Sequence, residues 1–159
     1  MTTPAAILAA AMVPYQKAAF ADLVARAGVP KASAWRARAG AHGRPTRAEH
    51  HLRLCAVLGI DPINGHAIEP RAPAPLIAAF FACAVKGNRF LKGHNIRQAA
   101  KEMGISSTSL SRIENGDVRS FECMWAACRY VGGHPFDYVE PEGFMKNMIG
   151  NKTGRRDAA

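Results

Sequence analysis

The chain has 159 residues, enough for one ordinary domain or two very small ones, and 48% of them are apolar, so we expect a packed core rather than disorder. Lysine and arginine number 21 against 12 aspartates and glutamates, which gives a formal net charge of +9. This excess favours a polyanionic partner, either nucleic acid or an anionic membrane surface, although a basic protein without such a partner has the same composition.

The first predicted element is a helix in TPAAILAAAMV, with Thr3 as its N-cap and Pro4 in its first turn. The stretch is too short to cross a bilayer, and no basic residue precedes it as in a secretory signal. No other stretch resembles a membrane span. We therefore expect no membrane partner and a cytoplasmic protein.

Two later stretches repeat one another. FADLVARAGVPKASAWRARAG, residues 20 to 40, aligns without a gap on IRQAAKEMGISSTSLSRIENG, residues 96 to 116, at an offset of 76 (96 minus 20). The aligned apolar residues recur at i, i+3, i+4 and i+7, which is typical of one helix face. Gly28 and Gly104 follow them at equivalent positions. Each copy is therefore predicted to contain two helices joined by a glycine turn.

The repeat continues at an offset of 73, because the first copy is three residues longer at this point. Cys55 aligns with Cys128, and we assign both cysteines to an inward position in the core. In the first copy, Thr46 and Glu49 predict a capping box at the start of the helix that contains Cys55.

Between the copies, PRAPAP at residues 70 to 75 predicts a short, stiff connector from which helix is excluded. We expect an all-α fold of two tandem domains. The first comprises residues 1–69 and is the more degenerate, the linker comprises residues 70–75, the second domain comprises residues 76–140, and residues 141–159 form an extension with a basic tail.

The arrangement predicted for each copy is a helix-turn-helix, whose second helix can enter the major groove of DNA. QAAKEMGISSTSLSRIENG resembles the lambda repressor and Cro-like family, also called the XRE family. The matching residues are Ala100, Gly104, Ile105, Leu110, Ile113, Glu114, Asn115 and Gly116. MWAACRYVGGHPFDYV resembles the helix that follows in that family, and the resemblance covers residues 75 to 139. It implies lambda-repressor-like domains of about five helices that bind double-stranded operator DNA, in a regulator of transcription that we expect to be a repressor.

This alignment defines candidate DNA contacts in the second copy. Ser106 caps the recognition helix, and the outer face of that helix carries Ser107, Thr108, Ser111 and Arg112. Hydroxyl groups bond phosphates or base edges, and arginine can hold guanine through two hydrogen bonds. In the alternative interpretation, Ser106 is only a cap and Ser111 is merely solvated.

The start of the first helix departs from the family pattern. Members often have a glutamine there that bonds a phosphate, whereas this chain has Ile96. Arg97 and Gln98 are the candidates to replace that contact.

The recognition helix of the first copy is predicted from Lys31 to Arg38, and Arg38 stands where the family has glutamate. Its candidate DNA contacts are Lys31, Ser33, Trp35 and Arg36. Two interpretations of Trp35 are open: its ring presses on a sugar or a thymine methyl, or it fills space beside the small inward alanines of the helix.

Two other stretches have alternative interpretations. Gly43-Arg44-Pro45 resembles the core of a minor-groove hook, which makes Arg44 a candidate DNA contact, although a solvated loop is favoured. Beyond residue 141, an apolar stripe either covers the second core or pairs with another subunit in a homodimer. Its residues are Phe144, Met145, Met148 and Ile149.

The sequence shows no grouping of residues for metal binding or catalysis. The four cysteines form no C-x-x-C pair and the six histidines are scattered, so we expect no metal, no cofactor, no disulfide and structural thiols in the core. No nucleophile with a spaced base, paired carboxylates or phosphate loop is visible, so we expect no enzyme. Two hypotheses remain: a DNA-binding regulator, or an antitoxin or anti-activator type of protein in which one copy binds a protein partner. The basic, polar outer faces favour DNA.

Overall fold

The computed structural model describes residues 3–40 and 46–139, and these residues form eight α-helices with no strand among them. In chain order the helices are α1 (Pro4–Met12), α2 (Lys17–Ala27), α3 (Lys31–Ala39), α4 (Ala48–Leu58), α5 (Ala78–Leu91), α6 (Ile96–Met103), α7 (Ser107–Glu114) and α8 (Phe121–Val131), followed by a 3-10 helix at Pro135–Tyr138. The all-α prediction is confirmed. No helix in the described ranges combines the length and apolar character needed to cross a bilayer.

The two copies share the geometry of the glycine turn and the bounds of the last helix. α4 and α8 are offset by 73 residues at both ends, as the sequence alignment requires. Gly28 and Gly104 adopt left-handed backbone with φ of 60° and 71°, which glycine reaches without steric cost. Equivalent hydrogen bonds close the two turns: Gly28 N to Ala25 O and Gly104 N to Lys101 O, then Val29 N to Val24 O and Ile105 N to Ala100 O. The predicted pairs of helices joined by a glycine turn are therefore confirmed.

The number of helices is smaller than expected. The sequence predicts about five in each copy, whereas the described part of the chain holds four α-helices in each. After α8, two glycines and Pro135 interrupt the helix, and only the one-turn 3-10 helix at Pro135–Tyr138 follows. Glycine and proline disfavour a longer helix at this point.

The helix starts show one correct and one wrong prediction. Thr3 caps α1 as expected, since its Oγ1 accepts a hydrogen bond from Ala6 N at 3.3 Å. The capping box of Thr46 and Glu49 is wrong, because α4 has Arg47 as its N-cap and no side-chain cap. Glu49 thus lies one position too early in the helix to close the box, and it pairs with Arg53 instead, at 2.7 Å.

Each copy surrounds its own group of buried apolar side chains. The first core consists of Leu8, Met12, Phe20, Leu23, Ala27, Val29, Ala34, Ala37, Leu54 and Cys55. The second core includes Phe81, Val85, Ala99, Ala100, Met103, Leu110, Ile113, Phe121, Met124, Ala127 and Cys128, and also Ala48 and Leu52 from the first copy. Burial of apolar area stabilises such clusters by about 25 cal/mol per Å².

The cysteines differ in their surroundings. Cys55 and Cys128 are fully buried, as the repeat predicts. Burial raises the pKa of both thiols, that of Cys128 to about 12 with a smaller contribution from Asp137. Cys123 is half-buried against the second core, and Cys83 is exposed on α5. The expectation that all four thiols are core residues is therefore wrong for Cys83, which does not lie on the buried face of its helix.

The two copies pack directly against each other through equivalent helices. α4 contacts α8, and α1 contacts α8 as well. At the centre of the contact, the rings of His51 and Phe121 are stacked, with centroids 3.9 Å apart and planes inclined by 6°. Burial lowers the pKa of His51 to about 3, and its Nε2 has no hydrogen-bond partner among the described residues. His51 is therefore a neutral aromatic residue of this interface.

The linker lies beside the same interface. Residues 70–75 contain no helix, as their prolines predict. Arg71 N donates to Ala56 O at 3.0 Å, and the Arg71 guanidinium lies 4.8 Å from the centre of the Phe136 ring. Phe136 in turn packs against both cores. The linker therefore contacts both copies rather than standing away from them.

Replacing His51 by phenylalanine is expected to make the fold less sensitive to acid. The unfolded chain takes up a proton at His51 below its ordinary pKa of 6.5, whereas the folded chain does so only near pH 3. The free energy of unfolding should therefore fall as pH is lowered from 6.5 towards 3, by at most about 1.4 kcal/mol per pH unit from this group. His51→Phe keeps a stacked ring without a titrating nitrogen, so the decline should be shallower.

Urea unfolding between pH 3.5 and 7.5 measures this effect. The exposed His66→Phe variant is the matched control and should retain the slope of the parent protein. The same slope in His51→Phe and in the parent would contradict the assignment.

Candidate nucleic-acid interface

Local hydrogen bonds define α6, the turn and α7. Asn95 and Gln98 cap the start of α6 reciprocally, each side chain accepting from the other backbone N at 2.9 Å. Ile105 follows the Gly104 turn and packs against the second core. Ser106 then caps α7 by accepting a hydrogen bond from Ser109 N at 3.0 Å, as the sequence predicts. Capping satisfies backbone groups that each helix end would otherwise leave unpaired.

The two faces of α7 differ in polarity. Leu110 and Ile113 are buried in the second core, as predicted. On the other side, the predicted contact residues Ser107, Thr108 and Arg112 are exposed and Ser111 is half-exposed. The only acidic residue of α7 is Glu114, and its side chain is buried, so the solvent face of this helix carries hydroxyl groups and one positive charge.

A buried ion pair joins the end of α7 to α5. Arg89 Nε and Nη2 donate to the two carboxylate oxygens of Glu114 at 2.6 and 3.0 Å, while Arg89 Nη1 donates to His94 O at 3.1 Å. Both charged side chains are more than nine-tenths buried. Hydrogen bonding to Glu114 raises the pKa of Arg89 despite the opposing effect of burial. Such a bidentate pair fixes both distance and orientation, so α7 is held against α5 at its C-terminal end.

Arg89 is not among the residues predicted from the sequence. A usable signal was present, because Phe81, Val85 and Arg89 share one face of α5 at intervals of four residues. An arginine that continues a buried apolar stripe indicates a buried acidic partner.

The two candidates at the start of α6 differ in availability. Arg97 is exposed and stands in the first turn of the helix. Gln98 is exposed too, but its Oε1 accepts the capping hydrogen bond from Asn95 N. Of the two, Arg97 therefore has the side chain better placed to reach a phosphate.

The equivalent helix of the first copy, α3, carries no acidic residue. Lys31, Trp35 and Arg36 are exposed, as expected of its outer face. Trp35 is 51% exposed, with its ring centroid 4.8 Å from that of Phe20 and 5.5 Å from the Arg38 guanidinium carbon. The ring of Trp35 therefore packs on Phe20, a buried residue of the first core, while half of the Trp35 surface is exposed.

Ser33 is a correction to the predicted contacts. Its side chain is only 2% exposed, and Arg36 Nη2 donates to its hydroxyl oxygen at 3.1 Å. His50 Nδ1 lies 3.0 Å from the same oxygen. Ser33 therefore belongs to a polar network that ties α3 to α4, and it is not available to DNA. Arg44 and the C-terminal stripe lie outside the described residues.

The two copies differ in the contact that holds the helix after the glycine turn, which is α3 in the first copy and α7 in the second. The position that holds Glu114 in the second copy holds Arg38 in the first, at the repeat offset of 76. The Arg38 guanidinium lies over the Phe20 ring, 5.2 Å from its centre. A cation–π contact with an aromatic surface therefore stands where the second copy has a buried ion pair.

In the described ranges no three His, Cys, Asp or Glu side chains gather as they would around a metal ion. Comparison with protein-family models, with curated proteins and with solved structures finds no match to this chain. The resemblance to the lambda repressor family therefore stays a prediction, supported by the residues that carry it.

Removing Glu114 is expected to destabilise the protein strongly. Glu114→Ala leaves the Arg89 charge buried without its partner, which costs about 3–5 kcal/mol in the free energy of unfolding. Replacing both residues, as Arg89→Met with Glu114→Leu, should recover most of that loss because no buried charge remains.

The control for this measurement is Asp117→Ala. Asp117 pairs with Arg119 at 2.7 Å near the end of the same helix, but both side chains are exposed. The control should lose less than about 1 kcal/mol in urea unfolding. Equal losses in the two single variants would show that the buried pair does not brace α7.

Proposed function

We propose that this chain is a sequence-specific DNA-binding protein that regulates transcription, with α7 and α3 as the recognition helices of two tandem helix-turn-helix units. The observation that carries the proposal is the solvent face of α7. It combines hydroxyl groups with Arg112, exposes no acidic side chain, and is held at one end by a buried ion pair. A short helix of this kind, presented beyond a glycine turn, fits the major groove of DNA.

Charge supports the same partner for both copies. The net charge is +9, and the described residues of α3 and α7 expose basic but no acidic side chains. Phosphate contacts supply most of the affinity of DNA-binding proteins, whereas base contacts supply direct specificity. On this basis α7 would read bases through Arg112, while α3 would contact phosphates through Lys31 and Arg36 and a sugar or a thymine methyl through the exposed Trp35.

A protein partner for the first copy is the second candidate, and the exposure of Trp35 favours it. Exposed tryptophan is typical of residues that dominate protein interfaces. Its ring lies beside Phe20 and the Arg38 guanidinium, so the surface is basic as well as aromatic. Trp35→Ala would then abolish capture of that partner while leaving the DNA affinity of the second copy intact.

Selection from a random DNA pool tests the proposed function. The full-length protein is incubated with random duplexes at about 150 mM salt, where nonspecific binding is weak, and the bound fraction is sequenced over successive rounds. We expect one recurring sequence to be enriched. If no sequence is enriched, the proposal of specific DNA recognition is wrong.

Replacing Arg112 by alanine is expected to lower affinity for the selected duplex by about 1–3 kcal/mol, as loss of a bidentate guanine contact does. The control is Arg129→Ala, which removes the same charge from α8, where the guanidinium lies 4.6 Å from the Trp125 ring centre. Fluorescence anisotropy measures both. An unchanged dissociation constant in Arg112→Ala would remove Arg112 from the interface.

Replacing Lys31 and Arg36 together by alanine is expected to weaken binding to all sequences alike. Each lost phosphate contact reduces the slope of log affinity against log salt by about 1, so the double variant should be flatter by about 2. Titrations between 50 and 300 mM salt measure that slope. An unchanged slope, together with loss of a protein partner, would make the first copy an interaction module.

A further inference from the structure

The contact between the two copies includes a pair of equivalent helices. α4 and α8 occupy equivalent positions in the repeat and contact one another. Beyond these helices, His134 Nε2 donates to Asp61 Oδ2 at 3.0 Å. These two residues are also equivalent, since 134 minus 61 is 73, the offset of this part of the repeat.

Asp61 and His134 have the same local geometry in their own copies. Asp61 Oδ1 accepts a hydrogen bond from Ile63 N at 2.8 Å, and His134 Nδ1 accepts one from Phe136 N at 3.2 Å, in each case two residues further along. Each side chain therefore stabilises its own turn with one polar atom and meets its counterpart with the other. The contact joins residues at equivalent positions of the repeat, each of which accepts a hydrogen bond from the backbone N two residues further along.

Contact between equivalent positions distinguishes two arrangements of a repeat. A head-to-tail arrangement brings different surfaces together, whereas a two-fold arrangement brings each residue near the axis against its own counterpart. A two-fold contact also occurs twice, with the roles exchanged. At the offset of 73, His51 corresponds to Met124, and Phe121 corresponds to Ala48. The stacked pair His51–Phe121 therefore has Met124 and Ala48 as its counterpart, and both of these residues are buried in the second core.

We propose that the chain is a single-chain pseudo-dimer, in which an approximate two-fold axis through the Asp61–His134 contact relates the two recognition helices, so that one chain recognises an inverted pair of unequal half-sites in double-stranded DNA. This inference rests on the proposed function. Beyond specific DNA binding, the target is an inverted pair, its two halves differ in sequence, and one chain binds each site.

The residues at the axis favour pairing within one chain. If two separate chains paired through two first copies, Asp61 would face Asp61. The ordinary pKa of Asp61 is 3.8, so its carboxylate is charged near neutral pH. Like charges at an interface oppose association. Asp61 meets His134 only where a first copy pairs with a second copy.

The half-sites are unequal because the recognition surfaces differ. α7 presents hydroxyl groups and Arg112, and α3 presents Lys31, Trp35 and Arg36. A homodimer reads two identical half-sites, whereas this chain would read two different ones in opposite orientations. Their centres should lie about one helical turn apart, ~34 Å, so that both major grooves face the protein.

The architecture of the selected DNA tests the proposal. We expect two dissimilar motifs in inverted orientation at one fixed spacing, with one protein chain per duplex in native mass spectrometry. Two motifs in direct repeat, a single half-site, or two chains on each duplex would overturn the pseudo-dimer while leaving specific DNA binding intact. Absence of any enriched motif would instead overturn the proposed function, and the pseudo-dimer with it.

Spacing provides a second measurement on the same duplex. Adding about five base pairs between the motifs moves one half-site by half a helical turn, to the opposite face of the DNA. Affinity should drop at least ~10-fold, towards that of a duplex with only the α7 half-site, because simultaneous contact is lost. Affinity that does not depend on spacing would contradict a fixed relation between the copies.

Exchange of the axis residues tests the contact itself. Asp61→His should weaken binding to the two-motif duplex but not to the duplex that carries only the α7 half-site. The double variant Asp61→His with His134→Asp restores the pair with the roles reversed and should recover the parental affinity. Circular dichroism and the unfolding midpoint show whether each variant is folded. Equal affinities of a folded Asp61→His variant and the parent for the two-motif duplex would refute the role of this contact.

Discussion

The ion pair between Arg89 and Glu114 is the constraint on which the geometry of the second copy depends. α7 is a helix of eight residues with Leu110 and Ile113 as its buried apolar side chains, and apolar contacts are not directional. The bidentate pair is directional, and it joins the last residue of α7 to α5. Because Arg89 also bonds His94 O just before α6, one guanidinium determines how both α6 and α7 are placed on α5. The polar face of α7 therefore has a defined direction.

In the first copy, other contacts hold α3 in position. It lacks the buried pair, and α3 is instead tied to α4 by the Arg36–Ser33–His50 network, while Arg38 lies over Phe20. Desolvation by burial lowers the pKa of His50, with Arg47, Arg53 and Arg36 adding to the effect against Glu49, so the ring favours its neutral form in this basic region. Arg36 therefore both holds α3 in place and is expected to contact a partner. In the second copy these roles are separate, because Arg89 and Glu114 hold α7 while the residues of its outer face are expected to contact DNA.

The features that the sequence predicts correctly depend on residues close together in the chain or on the internal repeat. The glycine turns, the inward residues Leu110 and Ile113, the Ser106 cap and the buried Cys55 and Cys128 all follow from local periodicity and from the repeat. The burial of Ser33, the Arg89–Glu114 pair and the stacking of His51 on Phe121 were not predicted, because each needs a partner at least 17 residues away, as His50 is from Ser33. A hydrophobic pattern shows that a side chain is inward, but it does not identify the side chain that it meets. The Thr46–Glu49 box failed for a local reason, since helix α4 starts after Arg47.

The packing of α4 on α8 has a consequence for how the protein responds to dilution. Two separate subunits dissociate when their concentration falls below the dissociation constant of their interface, and the number of paired molecules then varies with the square of the number of chains. Here both sides of the interface belong to one polypeptide, so their effective concentration is set by the linker and not by expression level. The paired arrangement is present in the first molecule synthesised. The number of paired molecules therefore rises linearly with the number of chains. Assembly from separate subunits would instead require a threshold concentration.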